Sequence, residues 1–321
     1  MKPFFIVGPT ATGKSEIAAE IACQLNAEVV SADAFQIYRG LDRLTAKPEK
    51  ATLAKAPHHL LSAVPLNEEM NVEKFRTAAV NAICDIHARK KHAIVVGGSG
   101  LYVKALTHGL SRLPGADPKL RARLSDLSLD ELRDQLIKLD ATGADKIDLK
   151  NRRRVMRALE ICLLSGKPLS EQRAEWAVAA SLCKARRGQA AVHASCASHS
   201  EAATAGVFVF RDRAELYQRI DRRVGKMFAE DVVDEVWALP DLSSTAEKAL
   251  GLRDIRAFLA GEISERDCIT RIRQGTRHYA KRQLTWFRRQ PNFESLNLSL
   301  LKDHAAAVDW ILQKVLSFAS P

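Results

Sequence analysis

Strand-like and helix-like patterns alternate along the first 110 residues of the chain. The run FFIV at residues 4–7 is apolar throughout, as in a strand that is buried on both faces. The same alternation continues with predicted strands at residues 28–31 and 92–96, and with predicted helices at 14–25, 72–89 and 101–109. Strands that alternate with helices predict crossover connections and a parallel sheet, which is an α/β fold.

The pattern changes twice beyond residue 110. Residues 114–172 carry charged helical segments at 117–127, 129–139 and 151–165, without an alternating strand. Residues 176–205 are rich in Ala and Ser with weak periodicity, which predicts an irregular insertion. A strand at 207–210 follows, and then helices at 215–239, 264–289 and 303–318. We therefore expect an α/β core formed by residues 1–113 and 206–321, interrupted by a mostly helical insertion domain at 114–205.

A complete phosphate-binding motif, GPTATGKS, lies between the first predicted strand and the first predicted helix. In this context the pattern G-x-x-x-x-G-K-[ST] indicates a P-loop. Its backbone N–H groups would face an anion, while Lys14 would supply a charge and Ser15 a hydroxyl ligand for Mg²⁺. The predicted phosphate-binding residues are Gly8, Pro9, Thr10, Ala11, Thr12, Gly13, Lys14 and Ser15. The motif indicates a polyphosphate with Mg²⁺ but does not say which group is transferred.

Three segments that follow predicted strands should meet in one cleft, because ligands of parallel sheets bind outside the carboxyl ends of the strands. They are the P-loop, the pair Ala32-Asp33 and the GGSG turn at residues 97–100. Asp33 is the carboxylate expected to face this cleft. It could take a proton from a nucleophile, or it could order Mg²⁺ through water, and both interpretations stay open at this point.

Positive charge is concentrated outside the P-loop segment. Residues 1–110 contain 13 basic and 10 acidic residues, whereas the rest of the chain contains 36 and 28, for a net formal charge of +11. Residues 150–157 hold five basic residues and no acid, and residues 266–289 hold eight basic residues and one acid. Such arrays neutralise nucleic-acid phosphates, and Tyr279 and Trp286 could stack on unpaired bases, whereas Phe287 is expected in the core. The sequence therefore favours an RNA partner.

The cysteines and the hydropathy pattern disfavour several other classes. The six cysteines are scattered without a CxxC pair, which argues against a disulfide framework or a zinc site and favours a reducing compartment. Cys183, His193, Cys196 and His199 are irregularly spaced, so a metal site among them is disfavoured. No apolar stretch approaches the ~20 residues that span a bilayer, and the first apolar run is too short for a signal peptide. We expect a cytoplasmic protein without a membrane segment.

Six segments, taken in order, resemble the tRNA dimethylallyltransferases, also called tRNA isopentenyltransferases. They are SADAFQIYRGLDRLTAKP at 31–48, HHLL at 58–61, VVGGSGLYVKAL at 95–106, NRRRVMRALEICLLSGKPLSE at 151–171, DRAELYQRIDRRV at 212–224 and RHYAKRQLTWFRR at 277–289. The resemblance implies a P-loop NTPase-like parallel sheet flanked by helices, with a helical insertion. It also implies transfer of a dimethylallyl group from its diphosphate to the exocyclic N6 amine of adenosine 37, beside the anticodon of tRNA. The phosphates in the P-loop would then belong to the leaving group.

The resemblance also implies roles for individual residues. Asp33 matches the general base, Ser99 matches a position often held by Thr near the diphosphate, and Arg213 matches an arginine that contacts the diphosphate. Ala34 stands where Ser is common. The implied tRNA contacts are Asp33, Ala34, Phe35, Gln36, Arg153, Arg154, Arg157, Lys248, Gly251, Arg253, Lys281, Arg282, Gln283, Trp286 and Arg288. The implied partners are dimethylallyl diphosphate, Mg²⁺ and a tRNA anticodon stem-loop whose target base is flipped out, bound by a monomeric protein.

Three other functions are compatible with parts of the sequence. A small-molecule P-loop kinase would use the P-loop and Asp33 but would leave both basic stretches without a role. An isopentenyltransferase of free adenine nucleotides would share the chemistry without needing the basic helix at 264–289. An RNA-binding module with an inactive P-loop is the third alternative.

Overall fold

A computed structural model describes residues 2–110, 113–172 and 205–319 of the 321-residue chain. The chain divides into two compact units, one formed by residues 1–107 and 179–321 and the other by residues 108–178. Each unit has its own hydrophobic core. The predicted irregular segment at 176–205 lies outside the described residues except for Ala205, and so do Cys183, His193, Cys196 and His199.

Six strands of the larger unit form one parallel sheet. In chain order they are β1 (Phe4–Val7), β2 (Glu28–Ser31), β3 (His58–His59), β4 (Ala93–Gly97), β5 (Gly206–Phe210) and β6 (Glu294–Asn297). Their order across the sheet is β3-β2-β4-β1-β5-β6, and Ile6 in β1 lies between Val96 and Val207. The predicted parallel sheet is confirmed. The carboxyl ends of β4, β1 and β5 lie side by side, so the segments that follow these strands share one edge of the sheet.

Fourteen α-helices are described. They are α1 (Lys14–Gln24), α2 (Lys50–Leu53), α3 (Val72–Ala88), α4 (Gly100–Thr107), α5 (Pro118–Ser125), α6 (Leu129–Leu139), α7 (Ala141–Ala144), α8 (Arg152–Ser165), α9 (Leu169–Gln172), α10 (Arg213–Ala229), α11 (Val232–Trp237), α12 (Leu252–Leu259), α13 (Glu265–Phe287) and α14 (His304–Ala319). The helices predicted at 14–25, 72–89, 129–139, 264–289 and 303–318 are confirmed to within two residues at each end. None of the described helices combines the length and the apolar character needed to cross a membrane.

Helices cover both faces of the sheet, which explains why the central strands are apolar at consecutive positions. Phe5 and Val7 belong to the core that includes Ile83 of α3 and Ile220 of α10. Phe4 and Ile6, the alternate residues of the same strand, belong to the core that includes residues of α1 and α14. Because successive side chains of a strand point to opposite faces, both cores depend on the same four-residue run.

The single helix predicted at 215–239 is wrong, because the chain breaks it at Asp231. Helix α10 ends at Ala229 and α11 begins at Val232, and Asp231 between them has a φ of 60°. This left-handed conformation is uncommon for residues other than Gly, but Asp adopts it more readily than most. The apolar periodicity continues across the break, so the pattern alone did not reveal it.

The smaller unit consists of helices in its described part. Helix α6 begins with a capping box, in which the Ser128 side chain accepts from the Glu131 N–H and the Glu131 carboxylate accepts from the Ser128 N–H. The buried carboxylate of Glu160 in α8 accepts hydrogen bonds from Arg121, at 2.9 and 3.0 Å, and from Arg157, at 2.6 Å. Arg157 also donates to the backbone oxygens of residues 114 and 115. Its guanidinium therefore stabilises the fold of this unit, which argues against the expected role of Arg157 as a tRNA contact.

Candidate active site

The P-loop joins β1 to α1 at the centre of the sheet edge. Gly13 precedes α1 with a φ of 92°, a left-handed conformation that favours glycine. The Thr12 hydroxyl and the Lys14 ammonium both donate to the backbone oxygen of Pro9, at 3.0 and 3.1 Å. These contacts close the loop around its own backbone, as expected for a phosphate-binding turn at a helix N-terminus.

Two arginines bind carbonyl oxygens of the P-loop. Nε of Arg211, just after β5, donates to the Thr12 oxygen at 2.9 Å, and Nε of Arg219 in α10 donates to the Ala11 oxygen at 2.7 Å. The C=O and N–H groups of a trans peptide point in opposite directions. These two bonds therefore direct the N–H groups of Thr12 and Gly13 away from the guanidinium groups. The arginines fix the orientation of the loop's peptide groups.

A third arginine, Arg223, lies beside Lys14 and Asp33. Its Nη1 donates to the Thr10 hydroxyl at 2.5 Å. Burial lowers the pKa of Arg223, and the nearby Asp33 carboxyl opposes that decrease. Burial also lowers the pKa of Lys14 to about 8, again opposed by Asp33, while the positive Arg223 lowers it further. Two cations and one carboxyl group are thus grouped at the P-loop, an arrangement suited to an anionic substrate.

The carboxyl group of Asp33 is fixed by the turn that follows β2. Its Oδ1 accepts hydrogen bonds from the N–H groups of Phe35, at 2.9 Å, and Gln36, at 3.2 Å. Among the described residues, Oδ2 accepts no hydrogen bond. One oxygen therefore positions the group, and the other is left for a ligand.

A cleft of about 900 Å³ brings these groups together. Its lining includes Ser31 at the end of β2, Asp33 just after that strand, and Gly97 at the end of β4. The P-loop residues Thr10, Ala11, Gly13, Lys14 and Ser15 and the α10 residues Arg219, Arg222 and Arg223 also line it. The predicted meeting of the P-loop, Asp33 and the GGSG turn in one cleft is confirmed.

A second cavity of about 40 Å³ shares Thr10, Asp33, Arg223 and Met227 with the cleft. Its other lining residues are mainly apolar or aromatic, namely Phe35, Leu44, Thr45, Leu250, Ile272, Thr276 and Tyr279. Asp33 therefore stands between an anion-binding cleft and a small apolar cavity. A reaction at Asp33 could join a phosphorylated substrate to a flat or apolar group.

Ser99 and Tyr279 complete the surroundings of Asp33. The Ser99 hydroxyl accepts from the Ala34 N–H at 3.0 Å and interacts with the Tyr279 phenol. Burial raises the pKa of Tyr279 to about 12, and the Asp33 charge adds to the increase. Tyr279 therefore keeps its proton at neutral pH and can donate a hydrogen bond in the site. The sequence suggested a base-stacking role for Tyr279 and did not place it beside Asp33.

Helix α13 lies directly against the site. The Gln283 amide donates to the Gly98 oxygen and accepts from the Thr10 N–H, both at 2.9 Å, and the residue is only 5% exposed. The Trp286 ring packs on Gly100, so closely that a Cβ there would lie 2.6 Å from it. Phe287 is buried, as predicted. The burial of Gln283 argues against its expected contact with tRNA, and its amide instead joins two loops of the site.

The other residues expected at the tRNA differ in exposure. The exposed ones are Arg153 and Arg154 in α8, Lys248, Arg253, and Lys281, Arg282 and Arg288 at the end of α13. Phe35, Gln36 and Ala34 are half-buried beside Asp33, and Gln36 donates to the oxygens of Thr45 and Ala46. Gly251 is buried with a φ of 91° and packs near Leu44, so its role is conformational. Of the residues expected at the tRNA, the exposed cations named above are therefore the ones whose side chains are accessible to RNA.

The arginine expected at the diphosphate, Arg213, is not in the cleft. It is exposed at the first turn of α10, where its guanidinium lies 5.2 Å from the Tyr217 ring centroid. Arg219 and Arg223, further along the same helix, line the cleft instead. The sequence indicates only that Arg219 and Arg223, which are four residues apart, lie on the same face of the helix. Which face meets the P-loop depends on the position of β5 beside β1, which the sequence did not specify.

Comparisons with known proteins show the family to which the chain is similar. A protein-family model described as IPP transferase matches residues 36–290. A tRNA dimethylallyltransferase of Akkermansia muciniphila is 40% identical over 311 residues, which cover 97% of this chain and 98% of that protein.

Two solved structures resemble the fold over most of its length. The tRNA isopentenylpyrophosphate transferase of Bacillus halodurans aligns with a TM-score of 0.67 and 31% identity, over 98% of this chain and 96% of that one. A eukaryotic dimethylallyltransferase acting on tRNA aligns with a TM-score of 0.76 and 25% identity, over 100% of this chain and 80% of that one.

Proposed function

The chain belongs to the IPP transferase family and is a tRNA dimethylallyltransferase, and we propose which of its residues carry out the reaction. It transfers a dimethylallyl group from dimethylallyl diphosphate to N6 of adenosine 37 in tRNA, which yields N6-dimethylallyladenosine and diphosphate. The observation that supports our residue assignment best is the position of Asp33, which lines both the cleft that holds Lys14 and Arg223 and the small cavity beside Tyr279.

The diphosphate of the prenyl donor binds at the P-loop. Its negative charge would be met by Lys14 and Arg223 and by backbone N–H groups of the loop, which Arg211 and Arg219 hold in orientation. Donors that are already in place when charge develops on a leaving group lower the barrier more than donors that must reorganise. The P-loop would thus stabilise the departing diphosphate, and the phosphates themselves would not be transferred.

Asp33 acts as the general base. The N6 amine of adenine is a weak nucleophile because its lone pair is delocalised into the ring. As the new bond forms between N6 and C1 of the dimethylallyl group, the C1–O bond to the diphosphate breaks and Oδ2 of Asp33 takes a proton from N6. The Asp33 Oδ1, held by the N–H groups of Phe35 and Gln36, keeps the carboxyl group in place during this step.

Ser99 and Tyr279 orient the reacting groups. The Ser99 hydroxyl accepts from the Ala34 N–H, so its own proton is available to the diphosphate or to Tyr279. The Tyr279 ring and Phe35 form walls of the cavity beside Asp33, where a flat base could lie against them. The adenine must leave its stack in the anticodon loop to reach this position.

The exposed cations of α13 bind the tRNA. Lys281, Arg282 and Arg288 lie on the helix that carries Gln283 and Trp286 into the site, so RNA bound to them would be close to Asp33. Lys248 precedes α12 and Arg253 lies in its first turn. Helix α12 packs against α13. Arg153 and Arg154 are exposed on α8 of the smaller unit. We propose contacts with the phosphates of the anticodon stem-loop for these exposed residues.

The site fits Mg²⁺ as a cofactor. Ser15, Ser31 and Asp33 bring oxygen donors to the cleft, and hard oxygen ligands are those that Mg²⁺ prefers. Among the described residues, no group of three or more His, Cys, Asp or Glu side chains could hold a metal. Ser15 and the oxygens of the diphosphate would hold the ion. The ion would neutralise part of the charge of the leaving group.

We propose that the protein acts as a monomer in the cytoplasm. None of the four described cysteines forms a disulfide, which is consistent with a reducing compartment, where tRNA is also modified and used.

Separate incubations test the proposal against the alternative substrates. One contains dimethylallyl diphosphate, Mg²⁺ and unmodified tRNA, a second replaces tRNA with free adenine nucleotides, and a third contains ATP and small hydroxyl acceptors. We expect prenylated tRNA and diphosphate in the first and no product in the others. Product from free nucleotides at a comparable rate, or ADP formation without tRNA, would contradict the assignment of the basic helix as a substrate-binding element.

A further inference from the structure

Residues 42–46 form part of the wall of both cavities. Asp42, Arg43 and Ala46 line the anion-binding cleft, whereas Leu44 and Thr45 line the small cavity beside Asp33. The segment lies in the connection between β2 and α2. It belongs to neither a strand nor a helix, so no regular element fixes its position. Something must hold it in place if the two cavities are to keep their shape.

A single carboxylate binds three consecutive N–H groups of this segment. Oε2 of Glu235 accepts from Asp42 at 3.0 Å and from Arg43 at 2.8 Å, and Oε1 accepts from Leu44 at 2.9 Å. Hydrogen bonds to an ionised acceptor are shorter and stronger than neutral ones. Both carboxylate oxygens are used, so these hydrogen bonds fix the distance and the orientation of the segment.

Glu235 can reach the segment because of the break in the helix at Asp231. Glu235 is in α11, which begins at Val232 after the left-handed residue. Asp234, its neighbour in the same turn, carries the same charge but has an exposed side chain. The break at Asp231 begins a second helix, α11. Of its two acidic side chains, that of Glu235 faces residues 42–44.

The other side of the segment is held from within the site. Gln36, which donates its N–H to Asp33, also donates its side-chain amide to the oxygens of Thr45 and Ala46, at 3.1 Å each. The segment is thus held between Gln36 beside the proposed general base and Glu235 at the outer surface. Without Glu235, the segment would keep its internal turn, the buried Leu44 side chain and the hydrogen bonds from Gln36. It would lose the three hydrogen bonds that connect the N–H groups of residues 42–44 to α11.

We propose that Glu235 is a positioning residue for the prenyl transfer, which holds residues 42–44 as the common wall of the diphosphate cleft and the cavity beside Asp33. This inference rests on the proposed function, because it assigns those two cavities to the two substrates. Glu235 is not among the residues that line either cavity. It acts through the backbone of the segment, and its removal should affect the reaction geometry more than the binding of tRNA to the exposed cations of α13.

Three variants test this role. Glu235→Ala removes all three acceptors, Glu235→Gln retains one acceptor oxygen in a side chain of the same shape, and Asp234→Asn removes an equal charge one residue away. Steady-state kinetics would be measured with dimethylallyl diphosphate and unmodified tRNA, together with the tRNA Kd and the Tm. Limited trypsin digestion, followed by mass analysis of peptides that end at Arg43, would report directly on the segment.

We expect Glu235→Ala to lower kcat/KM for the prenyl diphosphate about 10- to 100-fold, as small misplacements of reacting groups do. The tRNA Kd should stay within about twofold, Glu235→Gln should recover part of the loss, and Arg43 should be cleaved faster in Glu235→Ala. Asp234→Asn should match the wild type in all measurements. Equal kinetics and equal Arg43 cleavage in Glu235→Ala and Asp234→Asn would overturn the inference.

The proposed function and the role of Glu235 can fail separately. A wild-type protein that forms no prenylated tRNA would reject the proposed function, while the Arg43 cleavage would still report whether Glu235 holds the segment. If Glu235→Ala does not fold, Glu235→Gln takes its place in the same kinetic and proteolytic measurements. Equality of that variant with Asp234→Asn would then overturn the inference.

Discussion

The side-chain oxygen of Gln283 accepts a hydrogen bond from the backbone N–H of Thr10, at 2.9 Å and across 273 residues of sequence. The same amide donates to the Gly98 oxygen at 2.9 Å. A Cβ at Gly98 would lie 2.3 Å from Nε2 of Gln283, so the close approach requires glycine there. One side chain of α13 thus fixes the distance between the P-loop and the GGSG turn, and the helix with the exposed cations forms part of the candidate site.

Replacement of Gln283 by Ala should damage the site without changing the electrostatics of tRNA binding. The variant leaves the half-buried Thr10 N–H and the buried Gly98 oxygen without their partner. A buried group left unpaired, such as the Gly98 oxygen, costs about 1–3 kcal/mol. We expect a lower Tm and a higher KM for dimethylallyl diphosphate. Gln274→Ala, at an exposed position of the same helix, is the control. An unchanged KM combined with a weaker tRNA Kd would instead support a direct RNA contact.

Lys14 should give the reaction an alkaline limit. Its pKa is lowered to about 8 by burial, and only the protonated form neutralises the diphosphate. We expect kcat/KM for dimethylallyl diphosphate to fall as the pH rises through about 8, measured between about pH 6.5 and about 9.5. Lys14→Arg stays protonated over this range, so its profile should lack the limit even if its overall rate is low. A wild-type profile that stays flat up to about pH 9.5 would contradict the assignment.

The same shift in the pKa of Lys14 makes a prediction about stability. The unfolded chain binds the proton more tightly than the folded one, because the ordinary lysine pKa is 10.5. At a pH below about 8, the pKa of Lys14 in the folded protein, burial of the charged ammonium lowers the free energy of unfolding. This loss of stability decreases as the pH rises from about 8 to about 10.5. Lys14→Met should raise the Tm at about pH 7 and should lose that advantage at high pH. A Tm difference independent of pH would contradict it.

The exposed cations at the end of α13 should control the salt dependence of tRNA binding. Removal of one phosphate-binding cation lowers the slope of log K against log salt by about 0.7 to 0.9. We expect replacement of Lys281, Arg282 and Arg288 by Gln to weaken binding and to reduce the magnitude of the slope by about two. Lys302→Gln, an exposed lysine outside this helix, is the control. Equal slopes for the triple variant and the control would exclude these residues as phosphate contacts.

Glu28 at the start of β2 should contribute stability that is lost in acid. Burial alone would raise its pKa, but hydrogen bonds from His59, Arg89 and Lys91 lower it to about 2. Its contribution is complete above the ordinary value of 4.5 and decreases as the pH falls toward 2. The difference in urea midpoint between wild type and Glu28→Gln should therefore shrink on acidification. A constant difference would refute the prediction, and Glu68→Gln, at an exposed ion pair, should have little effect throughout.

The elements that the sequence revealed are those determined by local signals. The P-loop, β1 and α1 combine a motif with an apolar run and a helical period, and Phe287 was placed in the core from the same kind of pattern. The edge strands β3 and β6 were missed because His58–His59 is two residues long and Glu294–Asn297 is mostly polar. Neither has the apolar alternation by which strands are predicted.

Contacts between distant parts of the chain explain where the structure places site residues differently from the expectation. Arg213 was chosen from a motif, but the orientation of α10 on the sheet brings Arg219 and Arg223 to the P-loop instead. The family resemblance implies that Gln283 contacts tRNA, yet the helix face that it occupies is buried. The role of Glu235 depends on a backbone break at Asp231 that leaves the apolar period intact. Sequence periodicity shows which helix faces are apolar and does not show which loop a polar residue will meet.

The most direct test of the account is the rate at which Asp33→Asn converts adenosine 37 of a saturating tRNA to its dimethylallyl derivative, followed by nucleoside mass analysis. The asparagine oxygen can still accept from Phe35 and Gln36, so the turn survives while the proton acceptor is lost. We predict a fall of about 10²- to 10⁴-fold with an unchanged tRNA Kd, and no change for Asp309→Asn, an exposed carboxylate of α14. A fall of less than about tenfold would contradict the assignment of Asp33 as the base.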